Sequence, residues 1–273
     1  MDVKHFVKLI IKQFRIFKVV KANIVFLKPN QRLCGKNIII TGGSRGLGFA
    51  MAKKFVQEGA NVLITGRNEE TLKCAAESIG CKYIHFDVTD FKNMDNFITE
   101  ADNILGGINV LVNNAGISLH EGNIRNVQYN QFDAQINTNL KGAYFLSQKF
   151  ILLFEKEKRQ NGSILFLSSE RGQYVDDLPY GIIKAAINSL TQGLAKMLIC
   201  NNIRINAIAP GITTTDMTGR KPDNLFAGEY STGRYYLPEE VAEIACFLIS
   251  DVANCLSGQI IVCNNGKSIN YRK

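Results

Sequence analysis

Seven short apolar runs, rich in Ile and Val, recur along the chain: NIII (37–40), NVLIT (61–65), KYIHF (82–86), NVLVN (109–113), SILFL (163–167), RINAIA (204–209) and QIIVC (259–263). Amphipathic stretches separate them, at 46–58, 69–79, 91–105, 131–157, 181–200 and 239–250. Strands that alternate with helices in this way predict an α/β fold, a seven-stranded parallel sheet covered by helices on both faces. No repeat, low-complexity segment or Pro/Gly linker interrupts the alternation, so residues 35–273 read as one domain behind an N-terminal extension, 1–34. The longer irregular stretch 213–237 reads as a lid over a site.

A net charge of +8 over 273 residues invites a nucleic-acid reading until the charge is located. Residues 1–36 hold nine Lys/Arg against one acid, Asp2, which accounts for the whole excess. The remainder carries 23 basic and 23 acidic residues and is neutral, so nucleic acid is not an expected partner. In the extension, cations at 4, 8, 12, 15, 18 and 21 step by three or four and share one helical face. Phe6, Leu9, Ile10, Phe14, Phe17, Val20 and Ile24 fall mostly on the other. The interleaved charges exclude a clean membrane span. Three readings of residues 1–30 stay open: an interfacial helix on anionic lipid, a dock for an acidic carrier protein, or a helix packed on the core or another subunit. An organellar presequence is poorly supported, because this Lys-rich stretch lacks Ser and has one Arg in its first 31 residues. The cytoplasm, with peripheral contact at the inner face of a membrane, is the expected location.

The seven cysteines (34, 74, 81, 200, 246, 255 and 263) are odd in number and include no C-x-x-C, and only three His accompany them. No metal site is expected; the thiols are expected to be reduced and mostly buried.

TGGSRGLG (41–48) directly follows the first apolar run and opens the first helical stretch. Gly42 allows a tight turn, Gly46 lets backbone approach a pyrophosphate, and Gly48 lets helix pack on strand. The free N–H groups of the helix N-terminus then face the phosphates, and the fold becomes a Rossmann-type doubly wound sheet. Where the acid that binds both ribose hydroxyls in an NAD enzyme should end the second strand, the chain reads ITGRNEE, with Gly66 and Arg67. No acid stands there to repel a 2′-phosphate, and the Arg67 guanidinium, with Arg45 in the glycine loop, can pair with one. NADP(H) is therefore the expected cofactor and NAD(H) the alternative, with Glu69 and Glu70 softening the preference.

YGIIK (180–184) places Lys184 one helical turn after Tyr180. Alone, Tyr-x-x-x-Lys is a chance pattern; the surrounding motifs give it weight. The glycine spacing G-x-x-x-G-x-G resembles that of the short-chain dehydrogenase/reductase family, and the resemblance runs through residues 35–270. NNAG (113–116) follows the fourth strand, and NTNLKG (137–142) carries the family's N-x-x-G pattern. SSERG (168–172) follows the fifth strand and PGITTT (210–215) the sixth; LPEEVAEIACFLIS (237–250) and SGQIIVCNNG (257–266) match the C-terminal pattern. The last block departs from the family's Asp-Gly-Gly with Asn264-Asn265-Gly266, a position expected to lie away from the chemistry.

The resemblance, most like 3-oxoacyl-[acyl-carrier-protein] reductases and relatives acting on sugars, polyols or other secondary alcohols, implies a full set of roles. Gly42, Gly43, Ser44, Arg45, Gly46, Leu47 and Gly48 would cradle the cofactor, with Arg67 at its 2′ position. Asp87 and Val88 would flank the adenine; Asn114, Ala115 and Gly116 would line the ribose side. Pro210, Gly211, Thr213 and Thr215 would hold the nicotinamide end, Thr213 at its amide. Tyr180 would be the acid/base, and Lys184 would lower its pKa and hold the nicotinamide ribose. Ser169, eleven residues before the tyrosine, would steady the carbonyl, and Asn139 would complete a water relay to Lys184. Ser168 and Asn137 are the neighbours most easily mistaken for them. The apolar segment after YGIIK implies a homotetramer or homodimer. The substrate, a small-molecule or carrier-linked ketone or alcohol, depends on the loops at 117–130, 172–179 and 213–237. Rival readings are an extended epimerase, which would carry T-G-x-x-G-x-x-G and a longer substrate domain, a catalytically silent NADP-binding protein, which predicts damage at Ser, Tyr or Lys, and a membrane scaffold using only residues 1–30.

Overall fold

The computed structural model describes residues 31–228, 230 and 232–269. The readings of residues 1–30, as helix, membrane contact or carrier dock, lie outside the described residues. Seven strands, β1 (Asn37–Thr41), β2 (Asn61–Gly66), β3 (Lys82–His85), β4 (Val110–Asn113), β5 (Gly162–Leu167), β6 (Ile203–Pro210) and β7 (Ile260–Cys263), form one sheet in the order β3-β2-β1-β4-β5-β6-β7. Every adjacent pair is parallel. The expected fold is borne out, each strand lying within about a residue of its apolar run.

The helices are α1 (Gly46–Gln57), α2 (Glu69–Ile79), α3 (Met94–Leu105), α4 (Tyr129–Ile136), α5 (Ala143–Lys156), α6 (Pro179–Leu198) and α7 (Pro238–Ile249). The side-chain period of two divides each strand between two cores. Ile38, Ile40, Val62, Ile64, Val110 and Val112 join Met51 and Phe55 of α1 and Val241 and Ala245 of α7. Ile39, Leu63, Leu111, Ile164 and Phe166 join Phe97 of α3, Phe150 and Phe154 of α5 and Ile187 of α6.

The stretch 131–157 is not one regular helix. α4 and α5 are joined by a π-turn over Asn137–Gly142. Gly142 presses on Val88, where a Cβ would lie 2.9 Å from the Val88 carbonyl oxygen. A hydrophobic period reads amphipathicity and does not register such a one-residue change of winding.

Packing into the domain begins at Arg32 and Leu33. Leu33 is fully buried, and the Arg32 guanidinium reaches Glu58 at 2.7 Å and Glu243 at 3.3 Å. Lys54 bonds the same two carboxylates, so this cluster pins α1 to α7. The cysteines are free, but the expectation that most are buried fails: Cys246 is buried, Cys81 and Cys263 are half-buried, and Cys34, Cys74, Cys200 and Cys255 are exposed. Cys34 and Cys255 lie in connections, Cys200 in a short 3₁₀ turn, and Cys74 on the outward face of α2.

Candidate active site

All the motifs meet at the carboxyl edge of the sheet. The order reverses between β1 and β4, and in a doubly wound sheet the crevice at that point is where a dinucleotide lies. Gly42 turns the chain out of β1 with φ +66°. Gly48 packs so closely under this turn that a Cβ would stand 2.2 Å from the Gly42 carbonyl oxygen and 2.5 Å from Asn114 Nδ2. That Asn114 amide donates to the carbonyls of Thr41 and Gly42, at 2.8 and 2.9 Å, and the Thr41 hydroxyl accepts from the N–H of Asn114 and Ala115. NNAG therefore braces the glycine turn from the neighbouring strand.

α1 begins with no side-chain cap and no acid in its first turn. Its leading N–H groups are thus open to an anion, and the glycine turn in front of them fits a pyrophosphate. Gly48→Ala is expected to abolish measurable binding of a nicotinamide dinucleotide and to lower thermal stability, because the Gly42 carbonyl must move. Wild-type binding by this variant, measured by fluorescence titration, would contradict the role given to that turn.

Arg67, just beyond β2, and Arg45 are both exposed. Arg45 lies 3.6 Å from Asp216 across the crevice. Asp87, after β3, accepts from the N–H and hydroxyl of Thr89, both at 2.8 Å, and Val88 is buried against the π-turn. At the other end, β6 runs into Pro210 and Gly211, whose N–H bonds the Cys263 carbonyl. Thr213 is buried, and Thr218 ties the carbonyls of Thr213 and Thr215. Thr215 reaches over Gly46, so Ser44, Leu47 and their neighbours sit beneath the start of the 213–237 segment.

After β5 the two serines part. Ser168 is buried and bonds Asn188 at 2.6 Å and the Lys184 carbonyl at 3.2 Å. Ser169 opens a short 3₁₀ turn (Glu170–Gln173), where its oxygen accepts from the Arg171 N–H at 3.2 Å, and its side chain stands close enough to Tyr180 to lower that phenol's pKa. Tyr180 enters on the first turn of α6, which Pro179 starts. Burial raises the Tyr180 pKa; the bond from Ser169 and the charge of Arg171 oppose that rise. Lys184 is buried, its pKa pushed down to about 8 by desolvation, so it is protonated at neutral pH. Its ammonium lies 5.5 Å from the Tyr180 ring centroid and donates to the Leu167 carbonyl at 2.5 Å. Asn139, within the π-turn, spends both polar atoms of its side chain on the backbone of Ile117, at 2.8 Å each. Its amide thus braces the loop after NNAG.

The structure also gives places to residues that the motifs did not single out. Arg171 is clipped to Asp176 by two bonds of 2.6 and 2.5 Å, which folds the loop ahead of Tyr180. Glu170, next to Ser169, is buried, and Asn264 donates to it at 3.1 Å. The expectation that Asn264 lies away from the chemistry is thereby corrected: β7 ends beside the serine turn, a lateral contact that no local pattern carries. The one available signal was the charge pair ER inside SSERG.

The three loops expected on the substrate side touch one another. The Ile124 N–H donates to Asp177, and a His120 ring nitrogen is 3.0 Å from the Met217 carbonyl. Leu119, Ile124, Val175 and Met217 expose apolar surface along them.

This sheet, with its uncapped helix behind a glycine turn at the switch point, defines a dinucleotide-binding α/β protein. Residues 42–268 match a family model described as enoyl-(acyl carrier protein) reductase. The chain is 36% identical over 245 residues to a 3-oxoacyl-[acyl-carrier-protein] reductase of Thermotoga maritima, covering 86% of this chain and 98% of that one. It is 34% identical over 243 residues to a 3alpha-hydroxysteroid dehydrogenase of Mediterraneibacter gnavus, covering 84% and 95%. A crystal structure of a 3-ketoacyl-(acyl-carrier-protein) reductase from Brucella melitensis, complexed with NADH, superposes with a TM-score of 0.80 at 30% identity, covering 86% of this chain and 99% of that one. The chain belongs to the short-chain dehydrogenase/reductase family and is an NAD(P)-dependent oxidoreductase.

Proposed function

We propose that the protein is an NADP(H)-dependent reductase of ketones, with Tyr180 as proton donor, and that its substrate is a carrier-linked 3-oxoacyl thioester or another ketone with an apolar chain. The observation that carries the reading is the junction of Ser169, Tyr180 and Lys184 at the carboxyl edge of the sheet. A reduced nicotinamide, when bound, supplies the hydride. The chain's own part is to handle the oxygen. Ser169 donates to the carbonyl, and Tyr180 gives up its proton as charge builds there. The Lys184 ammonium stabilises the phenolate left behind and holds the ribose side. Asn139 steadies the loop at Gly116–Ile117 and is the residue assigned to a water relay toward Lys184. Burial keeps the Tyr180 phenol protonated at neutral pH, the form in which it can act as the acid.

Arg45 and Arg67, with no acid at the end of β2, support NADP(H) over NAD(H). The remaining cofactor contacts are those set out for the glycine loop, Asp87, Val88, Asn114, Ala115, Gly116, Pro210, Gly211, Thr213 and Thr215. The apolar rim of Leu119, Ile124, Val175 and Met217, together with relatives named for 3-oxoacyl and steroid substrates, supports an apolar substrate. Exposed Leu152, Ile182 and Met197 on α5 and α6 support association through these helices into a dimer or tetramer. No described helix is long and apolar enough to cross a membrane. Residues 1–30 are proposed as the part of a cytoplasmic protein that contacts anionic lipid or an acidic carrier, the extension joining the domain at Arg32 and Leu33.

The test is NADPH oxidation with a 3-oxoacyl thioester on its carrier protein, run beside NADH and beside a chain lacking residues 1–30. Turnover with NADPH that exceeds turnover with NADH is expected, and the truncated chain should keep its turnover of a free ketone. Binding of NADPH with no reduction of any ketone, in either chain, would overturn the reading.

A further inference from the structure

The residue after the serine at the site is a buried carboxylate. Glu170 Oε1 accepts from the Tyr230 hydroxyl at 2.7 Å and from the Lys267 ammonium at 3.3 Å, and Oε2 accepts from Asn264 Nδ2 at 3.1 Å. Glu170, Tyr230 and Asn264 are at most 5% exposed. The Tyr230 oxygen in turn accepts from the Ile212 N–H at 2.8 Å, and its ring carries the Lys267 ammonium 4.0 Å from the centroid. One side chain therefore ties three segments together: the turn that holds Ser169, the backbone just before Thr213, and the turn after β7. Tyr230 also packs edge-on against Tyr235 and Tyr236, so the same carboxylate anchors the small separate core of the 213–237 segment.

Such a carboxylate is stable out of water only if donors and a countercharge surround it. Here the Tyr230 hydroxyl, the Asn264 amide and the Lys267 ammonium do so, with the Tyr174 phenol beside them. The chain's Asn-Asn-Gly in place of Asp-Gly-Gly acquires a physical reason. An aspartate at 264 would set a second carboxylate against Glu170 Oε2, and two like charges at that distance oppose each other's ionisation. Glu170 requires a donor at 264, and Asn264 supplies it.

We infer that Glu170 is a positioning residue, which acts through Tyr230 and Asn264 to fix the Ser169 turn against the Ile212–Thr213 backbone on the opposite wall of the site. The inference rests on the proposed function for its catalytic consequence and on the hydrogen bonds alone for its structural one. The pair can be inverted: in Glu170→Gln with Asn264→Asp, a glutamine amide donates to the new carboxylate.

The experiment compares full-length wild type, E170Q, N264D, Y230F and the double variant E170Q/N264D. It reads ketone reduction, NADPH affinity by fluorescence, and backbone hydrogen exchange over 211–218. N264D is expected to lower kcat by about tenfold or more, to speed exchange over 211–218, and to weaken NADPH binding through the same segment. The double variant should recover most of these losses. Y230F, which removes only the bridging hydroxyl, should speed the same exchange and carries the test if N264D does not fold. Exchange over 211–218 that is unchanged in N264D and Y230F, or a double variant no better than N264D, overturns the inference. Should exchange respond and recover as stated while no variant reduces any ketone, the positioning role stands and the proposed function falls.

Discussion

Tyr180→Phe loses about 10²–10⁴-fold in kcat, the usual contribution of a positioned general acid, while its NADPH affinity stays near wild type. The ring remains to fill its place at the start of α6, and only the hydroxyl that meets Ser169 is removed. Stopped-flow oxidation of NADPH gives the rate, and nicotinamide fluorescence gives the affinity. A variant with near-normal turnover would remove Tyr180 from the mechanism. The wild type carries a pH signature as well. Lys184 is protonated below its pKa of about 8 and neutral above it. Its positive charge is therefore lost as pH rises through that value, and kcat/KM for reduction should decline on the alkaline side. The Tyr180 phenol, raised by burial, still holds its proton there. An alkaline decline that persisted in a variant lacking the Lys184 amine would exclude this assignment.

Removing both Arg45 and Arg67 as alanines costs about 10²-fold or more in NADPH affinity and leaves NADH affinity nearly unchanged. Each charge-assisted bond to a phosphate is worth about 1.5–3 kcal/mol, and both cations are proposed to pair with the 2′-phosphate. Arg67→Asp goes further and inverts the preference, since a carboxylate repels the 2′-phosphate and accepts from the free ribose hydroxyls. Isothermal titration with the two cofactors separates the outcomes. Equal loss of NADH and NADPH in the double variant would mean that these arginines serve the pyrophosphate or the fold instead. Arg45 has a second relationship, its 3.6 Å approach to Asp216, but both side chains are about three-quarters exposed, so that pair offers little competition.

The frame was legible in the sequence because its signals are local. Ile38, Ile39 and Ile40 announce a strand with two buried faces, and the structure sends the first and third to one core and the second to the other. The glycine turn was legible from its local spacing, Gly48 packing on the Gly42 carbonyl six positions back, although Asn114, which closes over both glycines, comes from far along the chain. What stayed hidden was lateral. The Lys184 ammonium leans on the Leu167 carbonyl seventeen positions back, and Asn264 answers a carboxylate ninety-four positions back. Asn139 was legible as a motif residue but not as a brace, because its two partners are the backbone atoms of Ile117. The exposed cysteines were misjudged because composition reports a residue's usual place and says nothing about a given helix face or connection.

The strand order has a kinetic consequence. β1 pairs with β2 early in the chain, but its other neighbour is β4, and the seam between β1 and β4 joins positions 72 residues apart, as where the Asn37 N–H meets the Asn109 side chain. Closing that loop costs about 1 kcal/mol more in entropy than pairing β1 with β2, which predicts that this seam forms after the β1–β2 pair. The switch-point crevice lies on that same seam. A dinucleotide therefore has no pocket to enter until that seam has been made, and it binds only the finished chain. Added nucleotide should then slow unfolding and leave the refolding rate untouched, acting as a latch on a door already shut.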